Sequence, residues 1–97
     1  MSYQQIVYEE QRLVILRGLE DMNGKSNDSM LQTVLDTYGL SASRDQVKNH
    51  ILWLEEQGLV RIERLGETLV VHQTHRGHDV ACGRARVVGV KRPGPGS

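Results

Sequence analysis

Hydrophobic residues recur at helical spacing in three segments of the chain and alternate with polar residues in a fourth. The first segment, Tyr3 to about Leu19, is predicted to be a helix whose apolar face contains Ile6, Val7, Leu13, Ile15, Leu16 and Leu19. The second, Met30 to Tyr38, follows the spacing of an amphipathic helix with Met30, Leu31, Val34, Leu35 and Tyr38. Residues 21–28 between them are predicted to form a turn, with Asn27 or Asp28 capping the second helix.

The third segment, Ser43 to Val60, is the most informative. Ser43 is placed to accept a hydrogen bond from the backbone N–H of Gln46, whose side chain is placed to reach back, as in a capping box. The buried stripe that follows consists of Val47, Ile51 and Leu54, with His50 beside them. Gly58 is expected to end the helix, because glycine adopts the left-handed conformation without a Cβ clash. The sequence therefore predicts a capped helix over 43–57.

Two short strands with a glycine-containing turn are predicted directly after this helix. Val60 and Ile62 in the first strand, and Leu69 and Val71 in the second, define one apolar face. The opposite face is mixed, because it includes Val70 as well as polar and charged residues. Leu65 and Gly66 are expected to form the turn between them. A hairpin this short is not stable alone, so it is expected to pack on the helices.

A last helix and a basic tail complete the predicted organisation. Thr74 is expected to cap a helix over about 74–84, with Val80 and Ala81 on its inner face. Residues 86–97 are basic, end in GPGS and are predicted to form a disordered tail outside a domain that covers 1–85.

The predicted element order is α-α-α-β-β-α, which is a mainly helical α+β fold with a small β-hairpin. Two closely spaced helices that run straight into a hairpin are typical of a winged helix-turn-helix. In that architecture, the helix over 43–57 is the recognition helix and residues 59–72 form the wing.

Composition and charge narrow the class of protein. The 97 residues have zero net charge, which is unusual for a DNA-binding domain. The charge is uneven, with five basic against nine acidic residues through Val60 and seven basic against three acidic residues after it. The single cysteine suits a reducing cytosol, and the first residues predict neither a signal peptide nor a membrane span. A soluble cytoplasmic protein is expected.

Six residues are candidate DNA contacts on the recognition helix and the wing: Ser43, Arg44, Lys48, Asn49, Arg61 and Arg64. Arg44 and Asn49 are the candidates for reading base edges and Lys48 for a phosphate contact. Wing arginines commonly reach the phosphate backbone or the minor groove. The alternative is a solvated polar face, since acidic residues lie on the same helix, at Asp45, Glu55 and Glu56, and Glu63 or Glu67 could pair with the wing arginines.

Four potential metal ligands lie in the last third of the chain: His72, His75, His78 and Cys82. On a helix that starts at Thr74, the last three would share one face, which suits Zn²⁺. Their spacing matches no metal-sensor motif, and histidines on helix surfaces are ordinary. The sequence therefore predicts no metal site and no cofactor. It also contains no phosphate-binding glycine loop or nucleophile motif, so no enzymatic activity is expected.

The chain resembles the winged helix-turn-helix superfamily of small bacterial regulators, the ArsR- and MarR-like group. The matching residues are Leu54 and Glu55, Gly58 to Val60, the wing, and Thr74 and Gly77 after it. A closer resemblance, over nearly the whole chain, is to a family of small proteins of Mu-like phages and prophages. The residues that carry it are Tyr3, Ile6, Val7, Arg12, Leu13, Ser43–Val47, Trp53–Val60 and Gly83–Pro93.

These resemblances imply a winged-helix fold and, as an expected function, double-stranded DNA binding by a phage or prophage transcriptional regulator. A homodimer through the first and last helices is expected from the architecture. Winged helices also serve as protein-contact modules, and fold alone does not decide between these functions. The alternative is therefore a protein–protein interaction module without affinity for DNA, which the neutral net charge favours.

Overall fold

The structure, a computed structural model, describes residues 2–94 and contains four helices and a three-stranded antiparallel sheet. The elements in chain order are α1 (Tyr3–Asp21), β1 (Lys25–Asn27), α2 (Asp28–Thr37), α3 (Arg44–Glu56), β2 (Val60–Leu65), β3 (Thr68–Gln73) and α4 (His75–Ala81). This confirms the predicted mainly helical α+β class with a small hairpin. No helix within residues 2–94 is long and apolar enough to cross a bilayer.

The predicted helix caps are confirmed. The side chains of Asn27, Ser43 and Thr74 each accept a hydrogen bond from the backbone N–H three residues further on. One detail of the prediction is wrong, because the Gln46 side chain does not reach back to complete a capping box. Its Oε1 instead accepts a hydrogen bond of 3.3 Å from the hydroxyl of Tyr8, which ties the start of α3 to α1.

The predicted turn over 21–28 contains a strand, β1, which the sequence pattern did not indicate. It pairs antiparallel with β3, with Lys25 opposite His72, and gives the sheet the order β1-β3-β2. The three residues of β1 are all polar, so no apolar alternation predicts the strand. The pairing is nonlocal, and the strand forms because the chain before α2 runs along the free edge of the hairpin.

The core is aliphatic and lies between the helices and one face of the sheet. Its fully buried members include Ile15, Leu16, Leu19, Leu31, Leu35, Ile51, Leu54 and Val71. The predicted inner faces are partly wrong at their ends, because Ile6, Met30 and Tyr38 are exposed. Each of these three residues lies in the first turn of a helix or directly after its last residue.

The C-terminal segment packs on the domain over most of its length, which differs from the predicted disordered tail. α4 ends at Ala81, and the chain then returns to α1, burying Val87 and Val90 to 7% exposure each. The backbone N–H of Lys91 donates to the carbonyl of Glu9 over 3.2 Å. The domain thus continues past residue 85, and the last three residues of the predicted tail, 95–97, lie outside the described residues.

Candidate nucleic-acid interface

The exposed side of α3 and the tip of the β2–β3 hairpin form one continuous surface. Lys48, on α3, donates from Nζ to the backbone carbonyl of Glu67 in the hairpin turn over 2.8 Å. The same Nζ lies 3.7 Å from Oδ2 of Asp28, a carboxylate only 2% exposed. Because this Oδ2 accepts no hydrogen bond within the described residues, the Lys48 charge is the group that offsets its burial. Lys48 therefore joins α3 to the hairpin tip and to the start of α2.

Arg44 joins the first turn of α3 to α2. Its Nε donates to Oε1 of Gln32 over 2.9 Å, and its Nη2 lies 3.4 Å from Oγ of Ser29. The side chain is exposed, and both of its partners are neutral. Arg44 thus keeps a positive charge in solvent at the N-terminal end of α3, where a groove-entering helix makes its contacts.

The two arginines of the hairpin lie on opposite faces of the sheet. Arg64 lies across from Leu69 on the inward side, and its Nη2 is 3.7 Å from Oε1 of Glu55 on α3. Arg61 lies across from His72 and so belongs to the outer face, because alternate strand residues point to opposite sides. The two predicted wing contacts therefore do not lie on the same surface. Arg64 belongs to the α3 surface and Arg61 does not.

The remaining sequence-predicted residues, Ser43 and Asn49, have different positions. The Ser43 hydroxyl is used in the helix cap, where it accepts from the N–H of Gln46 over 3.1 Å. The Asn49 side chain is exposed, and within residues 2–94 it makes no hydrogen bond. Leu52 lies one turn further along the same exposed side of α3. We call Arg44, Lys48, Asn49, Leu52 and Arg64 the α3–hairpin surface.

Acidic side chains interrupt the positive charge of this surface. Asp45 and Glu56 are on α3 itself, and Glu55 pairs with Arg64. The α3–hairpin surface is therefore close to neutral, and electrostatic attraction to phosphate over a distance is weak. Any strong contact has to come from specific side chains rather than from a broad positive field.

A buried polar network behind this surface fixes α3 on α1. His50, on α3, is 1% exposed, and its Nδ1 accepts a hydrogen bond of 3.2 Å from Nε of Arg12. Its Nε2 then carries the proton and donates to Oε1 of Gln11 over 2.9 Å. Burial, together with the Arg12 charge, lowers the pKa of His50 to about 4.

Because the folded state resists protonation of His50, we expect acid to destabilise the protein. The unfolded chain takes up the proton near the ordinary pKa of 6.5, whereas the folded chain takes it up near 4. The free energy of unfolding should thus fall as the pH drops between these values, by about 2.5 kcal/mol at a pH of about 4.5. Urea unfolding over this pH range measures the loss. His50→Gln should lack this part of it, and an equal loss in the variant would contradict the assignment.

Of the four potential metal ligands in the sequence, the structure brings only two together. His72 pairs with Glu63, and His75 lies 3.9 Å from Oδ2 of Asp79. His78 and Cys82 are joined by Glu20 of α1, a residue that the sequence pattern did not single out. Glu20 lies far from the other two in sequence, so only the packing of α1 on α4 reveals the cluster.

Sequence comparison with known proteins shows the family of the chain. The chain is 57% identical to gp26 of Escherichia phage Mu over 90 residues. These residues are 93% of this chain and 94% of gp26. The chain belongs to the family of phage Mu gp26. A second member of the gp26 family, from Haemophilus influenzae, is 45% identical over 71 residues, which are 73% of this chain and 70% of that protein. No protein-family model matches the chain.

The resemblance to small proteins of Mu-like phages is thereby confirmed. Phage Mu gp26 and the Haemophilus protein are both described as uncharacterized. Membership of the gp26 family therefore shows which proteins are related to this chain but assigns no activity to it.

Proposed function

We propose that this protein is a winged-helix DNA-binding protein, non-enzymatic and cytoplasmic, that regulates transcription in a phage or prophage. The observation that carries the proposal is the contact between Lys48 and the Glu67 carbonyl, which holds the hairpin tip beside α3. In winged helices, a hairpin beside the groove-entering helix contacts the adjacent DNA backbone, and the contact between the hairpin tip and α3 supports such a role here. The relationship to phage Mu gp26 supports the phage setting.

In the proposed complex, the first turns of α3 enter the major groove. Arg44 is suited to bind the O6 and N7 atoms of guanine, and Asn49 to bind the N6 and N7 atoms of adenine. Leu52 can contact a thymine methyl group, while Lys48 and Arg64 contact phosphates. Arg61, on the outer face of the sheet, is left out of this complex.

Binding requires the present partners of these side chains to be exchanged for DNA. The Arg64–Glu55 pair is solvent-exposed, and such pairs contribute roughly 0–1 kcal/mol, so breaking it for a phosphate contact costs little. Arg44 exchanges neutral partners for a charged or bidentate one, which is favourable. Moving Lys48 away costs more, because the carboxylate of Asp28 is buried beside it and would lose its ionic partner. We therefore expect Lys48 to contact phosphate while staying close to Asp28.

The direct test is binding of the purified protein to a random-sequence duplex at low salt, measured by fluorescence anisotropy. We expect Arg44→Ala and Arg64→Ala each to weaken binding about fivefold or more, and each to reduce the salt dependence by about one released counterion. Arg17→Ala is the matched control, because Arg17 is an exposed arginine on α1 that lines the cavity beside the C-terminal segment and is not part of the α3–hairpin surface. Arg61→Ala should resemble this control. Equal effects of Arg44→Ala and Arg17→Ala would contradict the proposal.

The second candidate function, a protein-contact module without DNA affinity, is favoured by an exposed apolar hollow on α1. Tyr3 is 81% exposed and Ile6 is 51% exposed. Together with Val7 and Leu40, they line a hollow of about 360 Å³. Glu10 and Lys91 also line it, but they already pair with each other over 3.2 Å. A second copy turned by a two-fold axis would therefore meet the hollow mainly through its apolar residues.

A homodimer interface was predicted on the first and last helices. The hollow favours α1 alone, because α4 buries its apolar residues Val80 and Ala81 within the chain. We expect sedimentation equilibrium to show a dimer at tens of micromolar, and Ile6→Glu to shift it towards monomer. A wild-type protein that remains monomeric there would remove the dimer. A dimer that shows no retention on random duplex at low salt would favour the contact module over the DNA-binding protein.

A further inference from the structure

Three side chains with metal-binding atoms meet where the end of α1 packs on α4. Glu20 lies in the last turn of α1, His78 lies in α4, and Cys82 follows the last residue of α4. Their ligand atoms all lie within 4.8 Å of one another. Nδ1 of His78 is 2.5 Å from Oε1 of Glu20 and 3.8 Å from Sγ of Cys82.

The surroundings of this cluster leave space for an ion and its remaining ligands. Glu20 and His78 are half-buried and Cys82 is exposed. Glu20 and Cys82 also line a cavity of about 500 Å³ between α1 and the C-terminal segment. Solvent therefore has access to the point on which the three side chains converge.

We propose that Glu20, His78 and Cys82 bind one divalent transition-metal ion of the Zn²⁺ class. Thiolate sulfur, imidazole nitrogen and carboxylate oxygen are the three ligand types that Zn²⁺ takes in proteins. Bond lengths of about 2.0–2.3 Å in a tetrahedral site separate ligand atoms by about 3.3–3.8 Å, close to the present sulfur–nitrogen distance. The His78–Glu20 contact is shorter and has to open, which needs only side-chain rotation at a solvent-accessible position.

Binding changes the protonation of the cluster in a defined way. The thiol of Cys82 gives up its proton to solvent when the ion binds. The single ring proton of neutral His78 then lies on Nε2, which leaves Nδ1 free to bind the ion in place of its hydrogen bond to Glu20. Three protein ligands leave a fourth position, which faces the cavity and is filled by water. The ion would hold the end of α1 against the end of α4. This inference does not rest on the proposed DNA binding, because the cluster shares no residue with the α3–hairpin surface.

The test is titration of the metal-free, reduced full-length protein with Co²⁺, followed by near-ultraviolet absorbance. We expect a thiolate-to-cobalt charge-transfer band that saturates at one ion per chain and disappears when Zn²⁺ is added. Cys82→Ser should abolish the band. Glu20→Gln and His78→Gln, which keep the size of the side chain, should each weaken Co²⁺ binding about tenfold or more.

The matched control is His75→Gln. His75 lies one turn from His78 on the same helix, yet it is outside the cluster and 90% exposed. Its replacement should leave Co²⁺ affinity unchanged, and circular dichroism of each metal-free variant should match the wild type. The proposal is overturned if the wild type gives no band, if His75→Gln weakens binding as much as His78→Gln, or if Glu20→Gln and His78→Gln both bind like the wild type.

Discussion

Replacing Gly77 by alanine is expected to destabilise the protein by about 3 kcal/mol, at the upper end for overpacking. A Cβ at this position would lie 2.1 Å from the backbone carbonyl oxygen of Leu59. That carbonyl cannot move away easily, because it accepts a hydrogen bond of 3.1 Å from the N–H of Thr74. The Thr74 hydroxyl also donates to the carbonyl of Gly58 and accepts from the backbone N–H of Gly77, and the second of these hydrogen bonds caps α4. The substitution would thus separate α4 from the turn between α3 and the hairpin.

The matched control for Gly77→Ala is Gly18→Ala. Gly18 is also a helical glycine, but a Cβ there meets only side-chain methyl groups of Val34 and Met22, the nearest at 3.1 Å. Alanine is a better helix former by about 1 kcal/mol, so the small crowding and the gain in propensity roughly cancel. Urea unfolding at neutral pH measures both changes. A loss at Gly77 no larger than the loss at Gly18 would show that α4 does not pack as described.

Replacing Gly89 by alanine is expected to have the second-largest effect, a loss of about 2–3 kcal/mol. The backbone φ of Gly89 is +104°, and a Cβ would lie 2.5 Å and 2.7 Å from two carbons of the Trp53 ring. The same ring stacks under the guanidinium of Arg12, 4.1 Å from its centroid, and Arg12 donates to the Gly89 carbonyl over 3.0 Å. An added methyl group would push the C-terminal segment off α1 and α3.

Gly66→Ala is the control for Gly89→Ala. Gly66 also has a positive φ, +61°, but a Cβ there has no neighbour within 4 Å, so this variant measures backbone strain alone. Because Trp53 is the single tryptophan, its fluorescence reports on the segment directly. We expect Gly89→Ala to shift the emission of the folded protein and Gly66→Ala to leave it unchanged. Unchanged emission in both variants would mean that the segment does not pack on Trp53.

The elements that were predicted correctly are those determined by residues close to one another in the sequence. Ser43 and Thr74 cap helices through a backbone N–H three residues away, and Gly58 takes the predicted left-handed conformation, with φ of +76°. The apolar stripe of α3 lies within one helix and needs no distant partner for its recognition. The order of the four helices and the hairpin follows from such local patterns.

Most of the features that sequence reasoning missed depend on distant contacts, and the orientation of the two wing arginines is the exception. β1 is a strand because it pairs with β3. The C-terminal segment packs on the domain because Val87 and Val90 are buried there. At the candidate surface, the ionic partner of Lys48 is Asp28, twenty positions earlier in the chain. Strand alternation alone would have placed Arg61 and Arg64 on opposite faces.

The most direct test of the proposed function is a backbone-amide NMR titration of the protein with a random-sequence duplex at low salt. We predict that the shifted resonances cluster in 44–52 and 64–68, the segments that form the α3–hairpin surface. Amides of α1 and α4, and those of the outer sheet face around Lys25 and Arg61, should stay in place. Shifts confined to those other regions, or no shifts at any duplex concentration, would contradict the proposal that α3 and the hairpin bind DNA.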